Sequence, residues 1–118
     1  MKTLPMVGEP QTRIRGCCQT LPEPLDAIEA EHLAAVGRAL SDLTRVQMIH
    51  MLKAASEPVC VCDFTAAFDL SQATISHHIA KLRDAGLIDS QKHGIWSFYR
   101  LRAKHASPIA QKLIDAIP

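Results

Sequence analysis

The chain has 118 residues and a net charge of +1 at neutral pH; 47% of its residues are apolar, 21% charged and 4% aromatic. That length suits one domain with a modest aliphatic core, and the near-neutral balance does not by itself announce a nucleic-acid partner. No stretch approaches the ~20 apolar residues of a membrane span, so no membrane is expected as a partner. The first residues lack the apolar centre of a signal peptide, and a reducing cytoplasm is the expected location. Four cysteines in such a compartment read as ligands or redox groups before they read as disulfides.

Residues 1–24 hold four of the seven prolines and no apolar periodicity, which reads as an extended arm ending at Pro22-Glu23-Pro24. The remainder, 25–118, reads as the folded domain. Leu25, Ile28, Leu33 and Val36 suggest a first helix, interrupted by His32. Ser41 and Asp42 look like an N-cap for a second helix, with Leu43, Val46, Ile49 and Leu52 on one side. Met48 and Met51 widen that face as ordinary core packing. Pro58 ends the helix, and a short third helix is expected from about Asp63 to Phe68.

Asp69-Leu70-Ser71 reads as a tight connection, with Ser71 capping a fourth helix that buries Ile75, Ile79 and Leu82. Gly86 suits the position just past that helix. Leu87 to Lys92 and Ile95 to Leu101 then read as two strands around a turn at Lys92-His93-Gly94. Ser107-Pro108 fits the start of a last helix carrying Ile109, Leu113 and Ile117, with Ala110 and Ile114 beside them. The expected fold is mainly α with a two-stranded β-hairpin, a winged helix-turn-helix.

Charge is unevenly placed. Acids cluster at Glu23, Asp26, Glu29 and Glu31, whereas Lys81, Arg83, Lys92, Arg100, Arg102 and Lys104 face only Asp84 and Asp89. The outward side of the fourth helix is small or polar: Gln72, Ala73, Ser76, His77, Ala80 and Lys81. Gln72 suits bidentate pairing with adenine, and Ser76 can bond to several bases. Ser71 and Thr74 suit phosphate at the helix N-terminus. Lys92 and His93 at the hairpin tip, with Arg100 behind, suit a phosphate backbone or the adjacent minor groove. The alternative is a solvated helix pair and a solvated hairpin. His77 and His78 point about 100° apart, so they do not serve one metal; His78 is expected to pack inward with Ile75 and Ile79, and His77 to face outward.

The run Ser71-Gln72-Ala73-Thr74-Ile75-Ser76-His77-His78-Ile79-Ala80-Lys81-Leu82-Arg83-Asp84-Ala85-Gly86-Leu87-Ile88 strongly resembles the recognition helix of the ArsR/SmtB family of metal-sensing repressors. Ala39 to Arg45 resembles that family's second-helix start, with Leu43 where proline is usual, and Gly94 to Leu101 resembles its wing. The resemblance covers roughly residues 30–105. It implies a homodimer joined through first and last helices, double-stranded operator DNA as partner, autoregulation of a resistance operon, and release on metal binding.

Cys17 and Cys18 lie in the arm, and Cys60 and Cys62 at the start of the short helix. Thiolates select soft ions. In a regular helix, residues two apart diverge by about 200°, so Cys60 and Cys62 share an ion only if Cys60 precedes the helix or opens it. The pattern is unlike paired structural-zinc knuckles. Val59 to Phe64 resembles the metal box of the family's thiolate members, which bind arsenite, antimonite, cadmium or lead; members with a cysteine arm complete the site with it, often from the partner subunit. The resemblance thus implies Cys17, Cys18, Cys60 and Cys62 as ligands and no permanent cofactor. The expected inducer is As(III), then Sb(III), then Cd(II) or Pb(II). The alternatives are small buried hydrophobes at Cys60 and Cys62, or a thiol-oxidation-responsive regulator. The family's acidic and histidine site in the last helix is not matched. No nucleophile–base pair is placed for catalysis, so an enzyme is not expected.

Overall fold

A computed structural model of the chain describes residues 19–102 and 108–118. The helices are α1 (Ala27–Ala39), α2 (Leu43–Ala54), α3 (Val61–Phe68), α4 (Gln72–Asp84) and α5 (Pro108–Asp115); the strands are β1 (Val59–Cys60), β2 (Ile88–His93) and β3 (Trp96–Leu101). Among the described residues, no helix is long and apolar enough to cross a membrane.

Side-chain caps set where the helices begin. Asp26 accepts from the backbone N–H of Ile28 and Glu29, Asp42 from Arg45 at 3.0 Å, and Ser71 from Thr74 at 3.1 Å. Each satisfies amides that the first helical turn leaves open. Helix α3 starts at Val61, two residues before the expected Asp63. Asp63 is its third residue, and its carboxylate reaches back 2.9 Å to the Cys60 N–H. The acid is therefore the far half of a capping-box arrangement and not the helix start.

Helix α3 ends on Asp69, at φ 54°, a left-handed position that short polar side chains tolerate. Helix α4 ends on Gly86, at φ +76°. Gly86 N–H bonds to the Arg83 carbonyl at 2.9 Å and Leu87 N–H to the Leu82 carbonyl at 3.1 Å, the paired bonds of a Schellman end.

The sheet has three antiparallel strands in the order β1-β3-β2, one more than the expected hairpin. The addition is Val59-Cys60, which pairs with Tyr99 and Phe98. The hairpin turn is Gly94-Ile95, one residue later than expected, because His93 still pairs with Trp96. Gly94, at φ +64°, supplies the positive φ that a two-residue hairpin turn needs at its first position.

The core forms where α2, α3 and α4 meet the inner sheet face: Met48, Ile49, Leu52, Phe64, Ile75, Ile79, Leu82, Leu87 and Ile88 are buried, with Val36 of α1 and Ala110 and Ile114 of α5. Helix α1 begins at Ala27, so Leu25 precedes it. Its stripe is only partly inside: Val36 is fully buried but Ile28 is 77% exposed; Leu43, the first residue of α2, is exposed too. The core side of α5 is Ala110 and Ile114, while Leu113 is 42% exposed. Lys53 of α2 secures the end of α5, its ammonium bonding to the carbonyl of Ile114 at 2.9 Å and also to that of Ile117. A cation there meets open carbonyls and the negative end of the helix. The expected cap at Ser107 lies outside the described residues.

Candidate nucleic-acid interface and thiol cleft

Helices α3 and α4 are joined by a turn so short that α4 must cross α3, and α4 inserts Ile75, Ile79 and Leu82 into the core. Its opposite side is thereby fixed outward. Gln72, Ala73, Thr74, Ser76, His77 and Lys81 are all exposed, a small and polar surface on a rigid helix. Ser71 Oγ both accepts from Thr74 N–H and lies 2.9 Å from Thr74 Oγ1. The two hydroxyls expected at phosphate are therefore held together at the helix start.

His78 turns inward as expected and its ring is mostly buried, but it meets a polar partner, Nδ1 lying 3.1 Å from Arg45 Nη1. A guanidinium only donates, so Nδ1 is the acceptor in this contact. Arg45 also donates to the Ala39 carbonyl at 2.7 Å and to the Arg38 carbonyl. The Asp42 carboxylate is 3.8 Å from His78 Nδ1. The Arg45 backbone N–H, with the Arg45 guanidinium charge adding to it, holds the Asp42 carboxyl below the ordinary carboxylate range. This polar strut ties the start of α2 to the middle of α4 and sets the pitch of the outward face.

The wing divides into a tip and a root. At the tip, Lys92 and His93 are exposed, and the His93 ring stands edge-on to Phe98 at 5.5 Å. At the root, Arg100 pairs in backbone register with Asp89, and the Asp89 carboxylate accepts from Arg102 at 3.3 Å. Lys92 pairs with Ser97, and Arg100 is three residues further along β3. Strand alternation therefore puts Lys92 and Arg100 on opposite faces of the wing.

The thiols sit beneath this surface. Cys60 is the N-cap of α3, with extended φ −85° and ψ 156°, so it has left the helical spiral that would separate it from Cys62. Cys60 is buried and Cys62 exposed, and both are free. The neighbouring Cys60 thiol, then burial, with the Asp63 charge adding to them, push the Cys62 thiol up. The pair fits a soft ion as two converging sulfur donors. Cys17 and Cys18 lie outside the described residues, and among the described ones no group of three or more Cys, His, Asp or Glu side chains is gathered for a metal.

Cys60 and Cys62 open onto a cleft of about 370 Å³ whose other walls include Gln72 and Ser76 of α4 and Ile95, Trp96 and Tyr99 of the wing. The cleft was not legible in the sequence. It depends on β1 fastening Cys60 to β3, where Cys60 pairs with Phe98 far along the chain and Val59 with Tyr99.

A family model described as bacterial regulatory protein, arsR family, matches residues 42–90, which run from the cap of α2 into β2. The arsenical resistance operon repressor of Escherichia coli is 42% identical over 78 residues, 66% of this chain and 65% of that one. The arsenical resistance operon repressor of Bacillus subtilis is 38% identical over 80 residues, 68% of this chain and 75% of that one. This chain belongs to the ArsR/SmtB family of DNA-binding transcriptional regulators. Its match spans slightly under two thirds of the E. coli repressor's length. The winged helix-turn-helix fold is matched by the homodimeric DNA-binding domain of a possible ArsR-family regulator from Mycobacterium bovis, with TM-score 0.62 and 24% identity over 75% of this chain and 77% of that one.

Proposed function

We propose that this ArsR-family chain is a dimeric operator-binding repressor released when trivalent arsenic binds cysteine thiolates. The cleft carries this reading: it sets Cys60 and Cys62 in one cavity with Gln72 and Ser76. In the proposed complex α4 enters the major groove of double-stranded operator DNA. Gln72 and Ser76 meet base edges, with His77 and Lys81 beside them. Ser71 and Thr74 meet phosphate at the helix start, and Lys92, His93 and Arg100 follow the backbone with the wing. Residues 1–24 act as an arm that brings Cys17 and Cys18 to the pair, completing three or four sulfur ligands. The resemblance to two arsenical resistance repressors supports arsenite as inducer; Sb(III), Cd(II) and Pb(II) follow on thiolate chemistry. The exposed apolar side chains of α1 and α5, together with the homodimeric Mycobacterium relative, support a dimer through those helices.

An ion on the sulfurs favours release to the extent that it binds the DNA-free state more tightly; a coupling of about 1–3 kcal/mol weakens operator binding ~5–150-fold. The test uses a duplex selected from a random pool by the ion-free protein, titrated with arsenite. Release is followed by anisotropy of the duplex and ion entry by the fluorescence of Trp96, the single tryptophan, which lines the cleft. Cys60→Ser, and separately Cys17→Ser with Cys18→Ser, should bind the duplex normally and fail to release it. Release of the triple variant at wild-type arsenite concentrations overturns the sensing site.

The identity of the ion has a pH signature. Arsenite exchanges hydroxyls for thiols and liberates water, so its affinity should stay flat through neutrality. Cd(II) must displace the thiol protons, and Cys62 holds its proton more strongly than an ordinary thiol. Cadmium affinity should therefore climb as pH rises. The raised Cys62 pKa also argues against peroxide sensing, which favours low-pKa thiols.

A further inference from the structure

The hairpin tip carries a residue that its own fold does not use. A two-residue turn that opens on glycine is normally completed by asparagine, aspartate, serine or a second glycine. Here Gly94 supplies the positive φ and is followed by Ile95, a β-branched apolar residue. Ile95 is 93% exposed and Trp96, next along the chain, 56% exposed. Neither belongs to the core or to the partly buried residues packed against it. Isoleucine at that apex forgoes turn propensity and leaves its side chain in water, so folding supplies no reason for it.

The surroundings of the tip point to its partner. Lys92 pairs with Ser97, one pair below His93 and Trp96, and its exposed ammonium makes no ion pair with a described residue. Ile95 and Trp96 line the same cleft as Gln72 and Ser76 of α4. The tip therefore lies at the edge of the molecule that carries the outward side of α4, and a duplex that takes α4 in its major groove brings an adjacent minor groove to it. A protein interface needs about 800 Å² from each partner, far more than two side chains offer. A wedge between bases needs only one side chain.

We propose that Ile95 is an apolar wedge that enters the operator minor groove beside the α4 contact and partly unstacks one base step, while Lys92 holds the flanking phosphate. The proposal rests on the reading of the chain as an operator-binding repressor and adds how the wing selects its site. The minor groove is about 6 Å wide, enough for a branched aliphatic side chain. Apolar side chains inserted there kink the duplex by about 20–90°. TA and CA/TG steps unstack at least cost. The wing thus favours such a step without a hydrogen bond to any base.

The test uses the ion-free full chain and the duplex it selects from a random pool. Permanganate oxidises thymines that have left the stack, and every TA or CA/TG step contains one. The unsubstituted chain should make such a step reactive in each half-site and draw dyes on the two duplex ends together. Ile95→Asn installs a favoured turn residue, so its urea midpoint should not fall. It should bind the duplex about 3- to 10-fold more weakly, toward the low end of what burying one isoleucine side chain supplies, and leave every thymine unreactive. Replacing the reactive step by AA/TT should weaken binding of the unsubstituted chain and leave that of Ile95→Asn unchanged. A bound duplex with no reactive thymine overturns the proposal, as does equal reactivity and affinity in Ile95→Asn; both leave operator binding intact. If Ile95→Asn alters sedimentation and nothing on DNA, the tip belongs to a second copy of the chain and the proposal is overturned. If the unsubstituted chain selects no duplex, the functional reading fails and the proposal with it.

Discussion

Helix α4 and the pair α1 and α5 treat their apolar residues differently. Ile75, Ile79 and Leu82 of α4 are all at most 2% exposed, and the helix is finished within its own chain. In α1, Ile28 is 77% exposed, and in α5, Leu113 is 42% exposed, although both helices also feed the core through Val36, Ala110 and Ile114. An amphipathic stripe that is wider than the surface available to cover it belongs partly to another surface. The contrast separates residues that hold α4 in place from residues that, in the proposed dimer, meet a second subunit. A helix as short as α5 is marginal alone, and in that dimer it gains from packing on both sides.

The largest effect should follow from Ile79→Ala, which leaves a void in a dry core and should cost about 2–5 kcal/mol in urea unfolding. Leu113→Glu should do the reverse, keeping the folded chain while abolishing the dimer in sedimentation, because a carboxylate is costly only once a partner covers it. A Leu113→Glu variant that sediments as a normal dimer breaks the comparison. On the outward side of α4, Gln72→Ala and Ser76→Ala should each cost about 1–3 kcal/mol on the selected duplex and relax base preference. Unchanged affinity and preference in both remove α4 from the major groove.

The strut beneath α4 sharpens the contrast further. Asp42→Ala removes the cap of α2 and should cost about 0.5–2 kcal/mol at neutral pH. The sign of its pH dependence follows from its lowered pKa: the contribution is present above the unfolded carboxylate pKa and is lost as pH falls through the lower folded value. The stability gap between Asp42→Ala and the unsubstituted chain should therefore close in acid. A gap that persists at low pH would assign the loss to packing instead.

How much was legible follows from the range over which each signal acts. The caps at Asp42 and Ser71, the α4 stripe and the Gly86 ending are local, and each reads correctly from a few residues. Three features are set by distant chain. His78 looked apolar because its neighbours Ile75 and Ile79 are, but its partner Arg45 is 33 positions away. Strand β1 is two residues long, too short for any period, and exists through β3. The exposure of Ile28 cannot be read from α1, since the stripe does not say which surface covers it. The start of α3 was within reach. Cys60-x-x-Asp63 is a capping-box spacing with cysteine in place of serine or threonine, and the unusual first residue concealed it. Of the four proposed ligands, Cys60 and Cys62 line one cleft, while Cys17 and Cys18 lie outside the described residues.

The smallest and most discriminating effect lies in the wing, where the sequence shows four basic residues without ranking them. Arg102 donates to the carboxylate of Asp89 at 3.3 Å, whereas Arg100 is only the backbone register partner of Asp89. Part of the Arg102 charge is spent within the root. Lys92, at the tip, is exposed and makes no ion pair with a described residue. It also stands on the opposite wing face from Arg100, so one backbone strand does not meet both equally. Lys92→Ala should weaken binding on all duplexes alike and flatten the dependence of log affinity on log salt by about one unit, the loss of one phosphate contact. Arg100→Ala should change the slope by less, because Arg100 stands at the wing root, on the opposite face from Lys92. Equal changes in the two slopes would show that the wing lies along the DNA by its whole length. An unchanged slope for Lys92→Ala would remove the tip from the contact.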